Sequence, residues 1–416
     1  MLNIFEFILS FLICMDISIP SKILEDILKI YTLNVGDDYS KYINYWPLFL
    51  FGLIFSFIVI PIIGQLAIKW GAIYIPKIKR KNREYDNPEK AIHEVETPAL
   101  GGLAVAIAVL IGILLLFRLD GFTIPILIAI AILVIGSVLD DIFNLSSKIQ
   151  IGYQLLSASI IAVSIIDLGN ISLFTDDFLN LTALTWSTQI LSIPLSFVFP
   201  GDLLLILWIL LCINSVKWVG GSPGLVESYS LIIFMLLFVI GVRTFSLFSS
   251  SISILIAGTL ISLLYFAFPS PKIMSGSSGK SIYGFLISIL ALISGVKFST
   301  TIMLLAIPLI DAMYVIVYRY ITYKPKNLLD LMRINDTSHL HHKLLKLNLS
   351  SRQILLIEAS ISLLVGSLAI LSTGALRYFA LIFGVSAVIA FIVFINYKAS
   401  KKEKAKEESP ESKYSY

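Results

Sequence analysis

The 416-residue chain is 57% hydrophobic and 14% charged, with 31 Lys and Arg against 27 Asp and Glu, which gives a formal net charge of +4. Soluble domains are roughly half apolar and a quarter charged, so this composition excludes an ordinary soluble domain and favours a protein surrounded by lipid. The two cysteines, Cys14 and Cys212, form neither a disulfide framework nor a metal-ligand spacing.

The N-terminal segment 1–45 contains an apolar stretch, LNIFEFILSFLICM, that is shorter than a typical membrane-spanning helix. It has neither the positively charged start nor the small-residue cleavage site of a signal peptide. We expect an interfacial helix here, with one additional membrane-spanning helix as the alternative.

Long apolar runs dominate the rest of the chain, and runs of about 17 to 25 residues cross a bilayer as helices. We therefore predict an all-α, polytopic integral membrane protein with a transmembrane domain over residues 46–396. Loop 168–202 contains ISLF and TQILSIPLSF, which we expect to pair as a short extracytoplasmic hairpin. The charged segment 397–416 is predicted to be a disordered tail. The chain contains about eleven predicted spans, near residues 46–68, 98–117, 122–139, 151–167, 203–216, 225–241, 246–268, 281–294, 300–318, 354–372 and 376–396.

Lys and Arg residues set the predicted orientation. They concentrate in segments 69–97 and 319–353 and in the tail, whereas loop 168–202 contains none. Because positively charged loops remain on the cytoplasmic side, we place these segments and the tail in the cytoplasm of a multi-pass plasma-membrane protein. The net positive charge follows from this orientation, and no nucleic-acid partner is expected.

Two neighbouring carboxylates, Asp140 and Asp141, end the predicted span at 122–139 in the motif DDIFNLSSKIQ. Ionisable groups at a membrane boundary are costly unless they are solvated, paired or functional. Adjacent carboxylates suit a divalent cation or a base held beside one. A helix end anchored in water is the alternative.

Two loops rich in small residues follow on the same predicted face, NSVKWVGGSPGLVES at 214–228 and KIMSGSSGKSIYGF at 272–285. Glycines let the backbone approach a ligand closely, and a lysine beside a helix N-terminus favours an anion. Either loop can present amide groups to phosphate, with a tight bend between helices as the alternative.

Three of the four histidines, His339, His341 and His342, lie within NDTSHLHHKLL, and Asp311 lies in the apolar span before them. Asp336, His339 and His342 are spaced by three, which would align them on a helical turn. This spacing is not a standard zinc motif, so we predict contact with phosphate or diphosphate. A solvated loop is the alternative.

The order of these motifs resembles that of the polyprenyl-phosphate N-acetylhexosamine-1-phosphate transferases, a membrane family within glycosyltransferase family 4. The likeness covers roughly residues 86–353 and is most specific at DDIFNL and at IPLIDAMYVIVYRY and DTSHLHHKLLKLNLSSRQ. The segment with His93 and TPALGG resembles the family's first cytoplasmic loop. The His-Leu-His-His form is similar to the N-acetylglucosamine-type branch.

The resemblance implies transfer of a HexNAc-1-phosphate from a UDP-sugar to polyprenyl phosphate with release of UMP, the first membrane step of cell-envelope glycan synthesis. It implies Asp140 and Asp141 as catalytic residues and Mg²⁺ held by Asp141, and we expect Glu227 to serve as a replacement ligand. The implied partners are polyprenyl phosphate, a UDP-sugar and the lipid bilayer, with a homodimer left open. The residues that we expect to bind substrate are His93, Lys148, Asn214, Lys217, Asp336, His339, His341 and His342.

Several positions depart from the family pattern. Gly220, Pro223 and Ser277 stand where the resemblance implies Asp, and the last of these is implied to be a magnesium ligand. Lys217 stands where it implies Asn, so we expect Lys217 and Lys280 to supply positive charge directly. Two other functions stay open: a non-catalytic homologue that binds lipid phosphate or nucleotide-sugar, and a transporter of a phosphorylated solute.

Overall fold

A computed structural model describes residues 44–74, 96–164, 166, 170–172, 178–190, 193–220, 222–295, 298–327, 330–331, 334, 336–372 and 376–407. The helices in these ranges are α1 (Trp46–Trp70), α2 (Gly101–Leu116), α3 (Thr123–Phe143), α4 (Ser147–Ala162), α5 (Gly201–Val219), α6 (Leu225–Arg243), α7 (Leu247–Ala267), α8 (Gly276–Ile293), α9 (Phe298–Leu304), α10 (Ala306–Tyr323), α11 (Leu340–Lys346), α12 (Ser351–Leu371) and α13 (Leu376–Glu407). The strands are β1 (Ile73–Tyr74), β2 (Thr97–Pro98), β3 (Asn170–Ser172), β4 (Phe178–Asn180), β5 (Thr182–Ile190) and β6 (Ile193–Pro200).

The chain is a polytopic helical membrane protein. Eight helices of the described ranges are long and apolar enough to cross a membrane, and nine if α9 and α10, which meet at 83°, form one bent span. Two further helices, α2 and α4, coincide with predicted spans but have only 16 residues each. The polytopic fold is confirmed, whereas the number of about eleven spans stays a prediction.

Local sequence signals account for several helix ends. Pro47 lies in the first turn of α1, where its missing N–H has no helical partner to lose. The same helix ends at Gly71, whose φ of 75° is left-handed. At α12, Ser350 and Gln353 form a capping box, in which each side chain bonds the other residue's backbone N–H.

The helical core is built around α7, which packs against α1 and α6, while α8 packs against α5 and α3. Glycine permits the closest of these approaches. A Cβ on Gly284 of α8 would lie 2.6 Å from the Cys212 carbonyl oxygen of α5. A Cβ on Gly102 of α2 would lie 1.9 Å from Gly279 Cα of α8. Small residues allow such backbone contact between membrane helices, and here they fix α8 against α2 and α5.

Loop 168–202 contains two antiparallel hairpins, with partners that differ from the predicted ones. β3, which includes the first two residues of ISLF, pairs with β4, and β5 pairs with β6. TQILSIPLSF therefore folds back on itself, because Ile190 pairs with Ile193 and Gln189 pairs with Pro194. In a third antiparallel pair, β1 lies beside β2, with Tyr74 opposite Thr97.

The C-terminal helix α13 continues to Glu407, where the sequence predicted disorder from 397. Lys, Glu and Ala are strong helix formers, and Lys–Glu pairs three or four residues apart add support. Residues 408–416 and the predicted interfacial helix of segment 1–45 lie outside the described ranges.

Candidate active site

Asp140 is buried in the last turn of α3 and is surrounded by donors. Its Oδ1 accepts hydrogen bonds from the Leu145 N–H at 3.0 Å and from the Gln150 side-chain amide at 2.9 Å. The helix ends at Asn144, whose left-handed φ of 52° turns the chain back and places the start of α4 beside Asp140. The other oxygen, Oδ2, lies 3.8 Å from Lys217 Nζ.

Lys217 lies in the last turn of α5, and its side chain is 10% exposed. Its Nζ donates to Gln150 Oε1 at 2.9 Å. Gln150 therefore bridges the pair, since its NH₂ group donates to Asp140 while its oxygen accepts from Lys217. Nearly one turn earlier, Asn214 donates to Gln154 Oε1 at 2.9 Å. Two successive turns of α5 are thus hydrogen-bonded to α4.

Asp141 is held by the first turn of α8. Its Oδ1 accepts from the Ser277 N–H at 2.6 Å, and its Oδ2 accepts from the Ser278 N–H at 3.0 Å. The first N–H groups of a helix have no helical partner and attract an anion. The approach depends on Gly276, with φ of 70°, because a Cβ there would lie 1.7 Å from the Ala99 carbonyl oxygen.

Lys280 is a second, partly buried cation, one turn further along α8. Its Nζ donates to the Gly220 carbonyl oxygen at 2.8 Å and to the Tyr74 hydroxyl at 3.3 Å. Burial raises the pKa of the Tyr74 hydroxyl, although the positive charge of Lys280 acts in the opposite direction. The charge of Lys280 also interacts with those of Lys217 and Asp141. Two amines and two carboxylates therefore lie together at this end of α3, α5 and α8.

The three clustered histidines are buried: His339 is 4% exposed, His341 2% and His342 6%. The alternative of a solvated loop is therefore wrong. His339 Nδ1 lies 2.8 Å from Asp311 Oδ2, while Asp311 Oδ1 accepts the Leu340 N–H at 2.9 Å. A single carboxylate thus fixes the His339 ring and the start of α11.

Asp336 does not align with His339 on a helical turn as predicted, because α11 begins only at Leu340. Its Oδ1 accepts from Arg319 Nε at 3.1 Å and Nη2 at 2.8 Å, and from Ser338 Oγ at 2.7 Å. This buried pair anchors the histidine segment to the end of α10.

Replacing Arg319 by Leu should destabilise the fold, because it leaves the Asp336 carboxylate buried without its cation. Breaking one side of a buried ion pair costs about 3 to 5 kcal/mol. Denaturant or heat titration of the detergent-solubilised chain measures this loss. The exposed Arg352 provides the control, since Arg352→Leu should change the unfolding free energy by less than about 1 kcal/mol. Equal effects of the two substitutions would contradict the assignment.

Trp218 connects the two polar clusters. Its ring centroid lies 6.3 Å from that of His339, and the adjacent residue Lys217 faces Asp140. The His339 and His341 rings are stacked with their centroids 5.9 Å apart, and the His341 and His342 rings are tilted by 42° with their centroids 4.2 Å apart. The carboxylate–lysine cluster (Asp140, Asp141, Lys217 and Lys280) and the histidine cluster (His339, His341 and His342) therefore meet at the end of α5.

Two predicted substrate-binding residues, His93 and Lys148, remain to be placed. His93 lies outside the described residues, and Lys148 is exposed on α4. Sequence reasoning assigned no role to Trp218, although it lies directly beside Lys217. It also missed the buried hydrogen bond from the Tyr229 hydroxyl to Glu358, for which residues 129 positions apart give no local signal.

The chain is similar in sequence to several known proteins. Residues 123–295, which run from α3 to the end of α8, match the family described as Glycosyl transferase family 4. A probable undecaprenyl-phosphate N-acetylglucosaminyl 1-phosphate transferase of Bacillus subtilis is 27% identical, over 83% of this chain and 87% of that protein. A decaprenyl-phosphate N-acetylglucosaminephosphotransferase of Mycolicibacterium smegmatis is 25% identical, over 79% and 82%. A phospho-N-acetylmuramoyl-pentapeptide-transferase of Clostridium botulinum is 24% identical, over 62% and 77%.

Enzymes of this family generally depend on a divalent metal ion, but the described residues do not fit one. Glu227, the expected replacement ligand, accepts from Ser275 Oγ at 2.5 Å and from the Ser275 N–H at 3.3 Å. Both oxygens of Asp141 accept backbone N–H groups. Among the described residues there is no group of three or more His, Cys, Asp or Glu side chains that could hold a metal ion.

The family match begins with the helix that carries Asp140 and Asp141 and ends with the helix that carries Lys280. It therefore includes the whole carboxylate–lysine cluster, and the three relatives extend the likeness across most of the chain. The chain is a polytopic membrane protein whose helices α3 to α8 are similar to glycosyltransferase family 4.

Proposed function

We propose that the chain transfers a HexNAc-1-phosphate, of the N-acetylglucosamine type, from a UDP-sugar to polyprenyl phosphate. A phosphate oxygen of the lipid attacks the sugar-linked phosphorus of the donor. The bond from that phosphorus to the bridging oxygen breaks, UMP departs with the bridging oxygen, and a polyprenyl diphosphate-linked sugar forms. The two relatives named for N-acetylglucosamine support this choice of sugar.

The observation that carries the proposal is the meeting of the two polar clusters at the end of α5. Such a transfer brings two phosphorylated substrates together, so it needs positive charge and hydrogen-bond donors on both sides of the reacting phosphorus. Lys217 and Lys280 supply the charge on one side, and the histidine cluster lies on the other, beyond Trp218.

Each cluster has a separate role in this proposal. Asp140 orients the lipid phosphate and accepts its proton when the lipid enters as the monoanion, which leaves a nucleophilic oxygen. Asp141 keeps the first turn of α8 in place. The histidines contact the diphosphate or the sugar of the donor, with His339 oriented by Asp311.

The site should lie on the cytoplasmic side of the plasma membrane, in the first membrane step of cell-envelope glycan synthesis. The concentration of Lys and Arg in segments 69–97 and 319–353 supports this orientation. The hairpin β5–β6 would then lie on the opposite side.

Single cysteines should report this orientation. In a chain without Cys14 and Cys212, a cysteine at the exposed Lys148 position should react with a membrane-impermeant maleimide only in inverted vesicles. A cysteine in place of Trp186, which is 71% exposed on β5, should react only in right-side-out vesicles. The reverse pattern would contradict the assigned orientation.

Product analysis tests the proposed activity. The purified full chain is incubated in lipid nanodiscs with polyprenyl phosphate and a panel of UDP-sugars, and UMP and lipid-linked sugar are quantified. We expect equal amounts of both products from a UDP-HexNAc. The proposal fails if no donor in the panel yields UMP.

A non-catalytic homologue is the second candidate, favoured because the oxygens of Asp140 and Asp141 are already engaged by internal donors. This candidate predicts binding of the UDP-sugar or lipid phosphate without release of UMP. Calorimetry on the same preparation distinguishes the two functions.

A further inference from the structure

The carboxylate–lysine cluster brings two carboxylates, Asp140 and Asp141, together with two amines, Lys217 and Lys280. Its positive groups are side-chain amines, and its negative groups already have partners. Asp140 Oδ1 accepts two hydrogen bonds, and each oxygen of Asp141 accepts one. The remaining oxygen, Asp140 Oδ2, faces the Lys217 amine at 3.8 Å.

A magnesium ion requires oxygen ligands in near-octahedral geometry and is commonly held in proteins by one or two carboxylates. In this cluster a cation would have to displace the backbone amides from Asp141 or compete with the Lys217 amine for Asp140. Displacing the amides would also leave the first N–H groups of α8 without acceptors. The arrangement therefore disfavours a metal ion at the position where the carboxylates lie closest together.

The two amines can do what a metal ion does electrostatically. A lysine is a compact point charge that can clamp a transferring phosphoryl group, as a metal ion does. Lys217 is held by the side-chain oxygens of Gln150 and Asp140, while Lys280 is held by Gly220 O and the Tyr74 hydroxyl. A phosphate oxygen entering between the two amines would offer each of them a negatively charged acceptor, which makes stronger hydrogen bonds than the neutral oxygens of Gln150, Gly220 and Tyr74.

We propose that Lys217 and Lys280 neutralise the substrate phosphates in place of a divalent cation, so that this site works without bound metal. The inference rests on the proposed function, because it concerns how the same site handles its phosphorylated substrates.

The first test measures product formation in EDTA and in excess Mg²⁺ or Mn²⁺. The unmodified chain should form product at rates that agree within about twofold in these buffers. Lys217→Met and Lys280→Met should each lower the rate by roughly a hundredfold, the effect of removing one group that stabilises transition-state charge. Lys217→Arg keeps the charge and should retain more activity than Lys217→Met. The exposed Lys326 supplies a matched control, since Lys326→Met should leave the rate unchanged.

The second test has a readout other than activity. Titration with Mn²⁺, followed by electron paramagnetic resonance, should show no tightly bound ion in the unmodified chain. The double substitution Lys217→Asn, Ser277→Asp removes one amine and adds a carboxylate beside Asp141. This variant should bind Mn²⁺ and form product only when the metal is present.

The outcomes separate this inference from the proposed function. Product that disappears in EDTA and returns with Mg²⁺ or Mn²⁺ overturns the metal-free site but leaves the transferase assignment intact. If no UDP-sugar yields product, the transferase assignment fails, and binding of UDP-N-acetylglucosamine decides the inference. Binding in EDTA that Lys217→Met weakens supports the inference, whereas binding that requires metal, or no binding, overturns it.

Discussion

Asp140→Asn should lower the rate of UMP release by a factor of about 10² to 10⁴, the range associated with loss of a positioned acid–base group. The substitution keeps a side-chain oxygen that can accept from Leu145 and Gln150, so the turn between α3 and α4 should persist. It removes the negative charge that faces Lys217 at 3.8 Å and the group that accepts the lipid's proton. Initial rates at saturating UDP-sugar and polyprenyl phosphate measure the effect.

The same helix provides the control for this substitution. Asp120 lies just before the other end of α3, where its Oδ1 accepts the Phe122 and Thr123 N–H groups. Asn is also a good acceptor at a helix start, so Asp120→Asn should change the rate by less than about threefold, a difference below 1 kcal/mol. A similar loss of activity in both variants would assign the Asp140 effect to folding and not to catalysis.

His339→Ala should weaken binding of the UDP-sugar by about tenfold to a hundredfold, because one charge-assisted hydrogen bond is worth about 1.5 to 3 kcal/mol. Asp311→Asn should cause a similar loss, since the amide cannot hold the ring as the carboxylate does at 2.8 Å. Asp311 is a positioning residue in this account and acts through His339. The double variant should therefore bind no more weakly than His339→Ala alone.

Isothermal titration calorimetry measures UDP-sugar affinity for the unmodified chain, the two single variants and the double variant. Glu358 supplies a matched control, because it is a buried carboxylate on a neighbouring helix that accepts from Tyr229 and not from a histidine. Glu358→Gln should leave UDP-sugar affinity within about threefold of the unmodified chain. Losses that add in the double variant would show that Asp311 acts independently of His339.

Sequence alone predicted those parts of the fold and site that depend on local patterns. Apolar runs located the helices because a membrane span needs a continuous stretch of apolar residues. Neighbouring residues at one helix end, such as Asp140 and Asp141, were predicted to lie at the site, and the structure brings them together with Lys217 and Lys280.

Contacts between distant segments could not be predicted in the same way. Arg319 binds Asp336 across 17 residues, and the rings of Trp218 and His339 meet although they lie far apart along the chain. The strand partners in loop 168–202 were wrong for a related reason, since an apolar strand pattern does not specify which strand it pairs with.

The contact between Gly284 and the Cys212 carbonyl affects which substitutions related chains can accumulate. Because α5 and α8 touch backbone to backbone at that crossing, the positions from which Lys217 and Lys280 extend are set without intervening side chains. The exposed apolar surface of α5, which includes Leu203, Leu204 and Leu207, can therefore exchange one apolar residue for another over long divergence without altering the spacing of the two amines. Overall identity, 27% to the Bacillus subtilis relative, is consequently a poor measure of how far the arrangement of charges has changed.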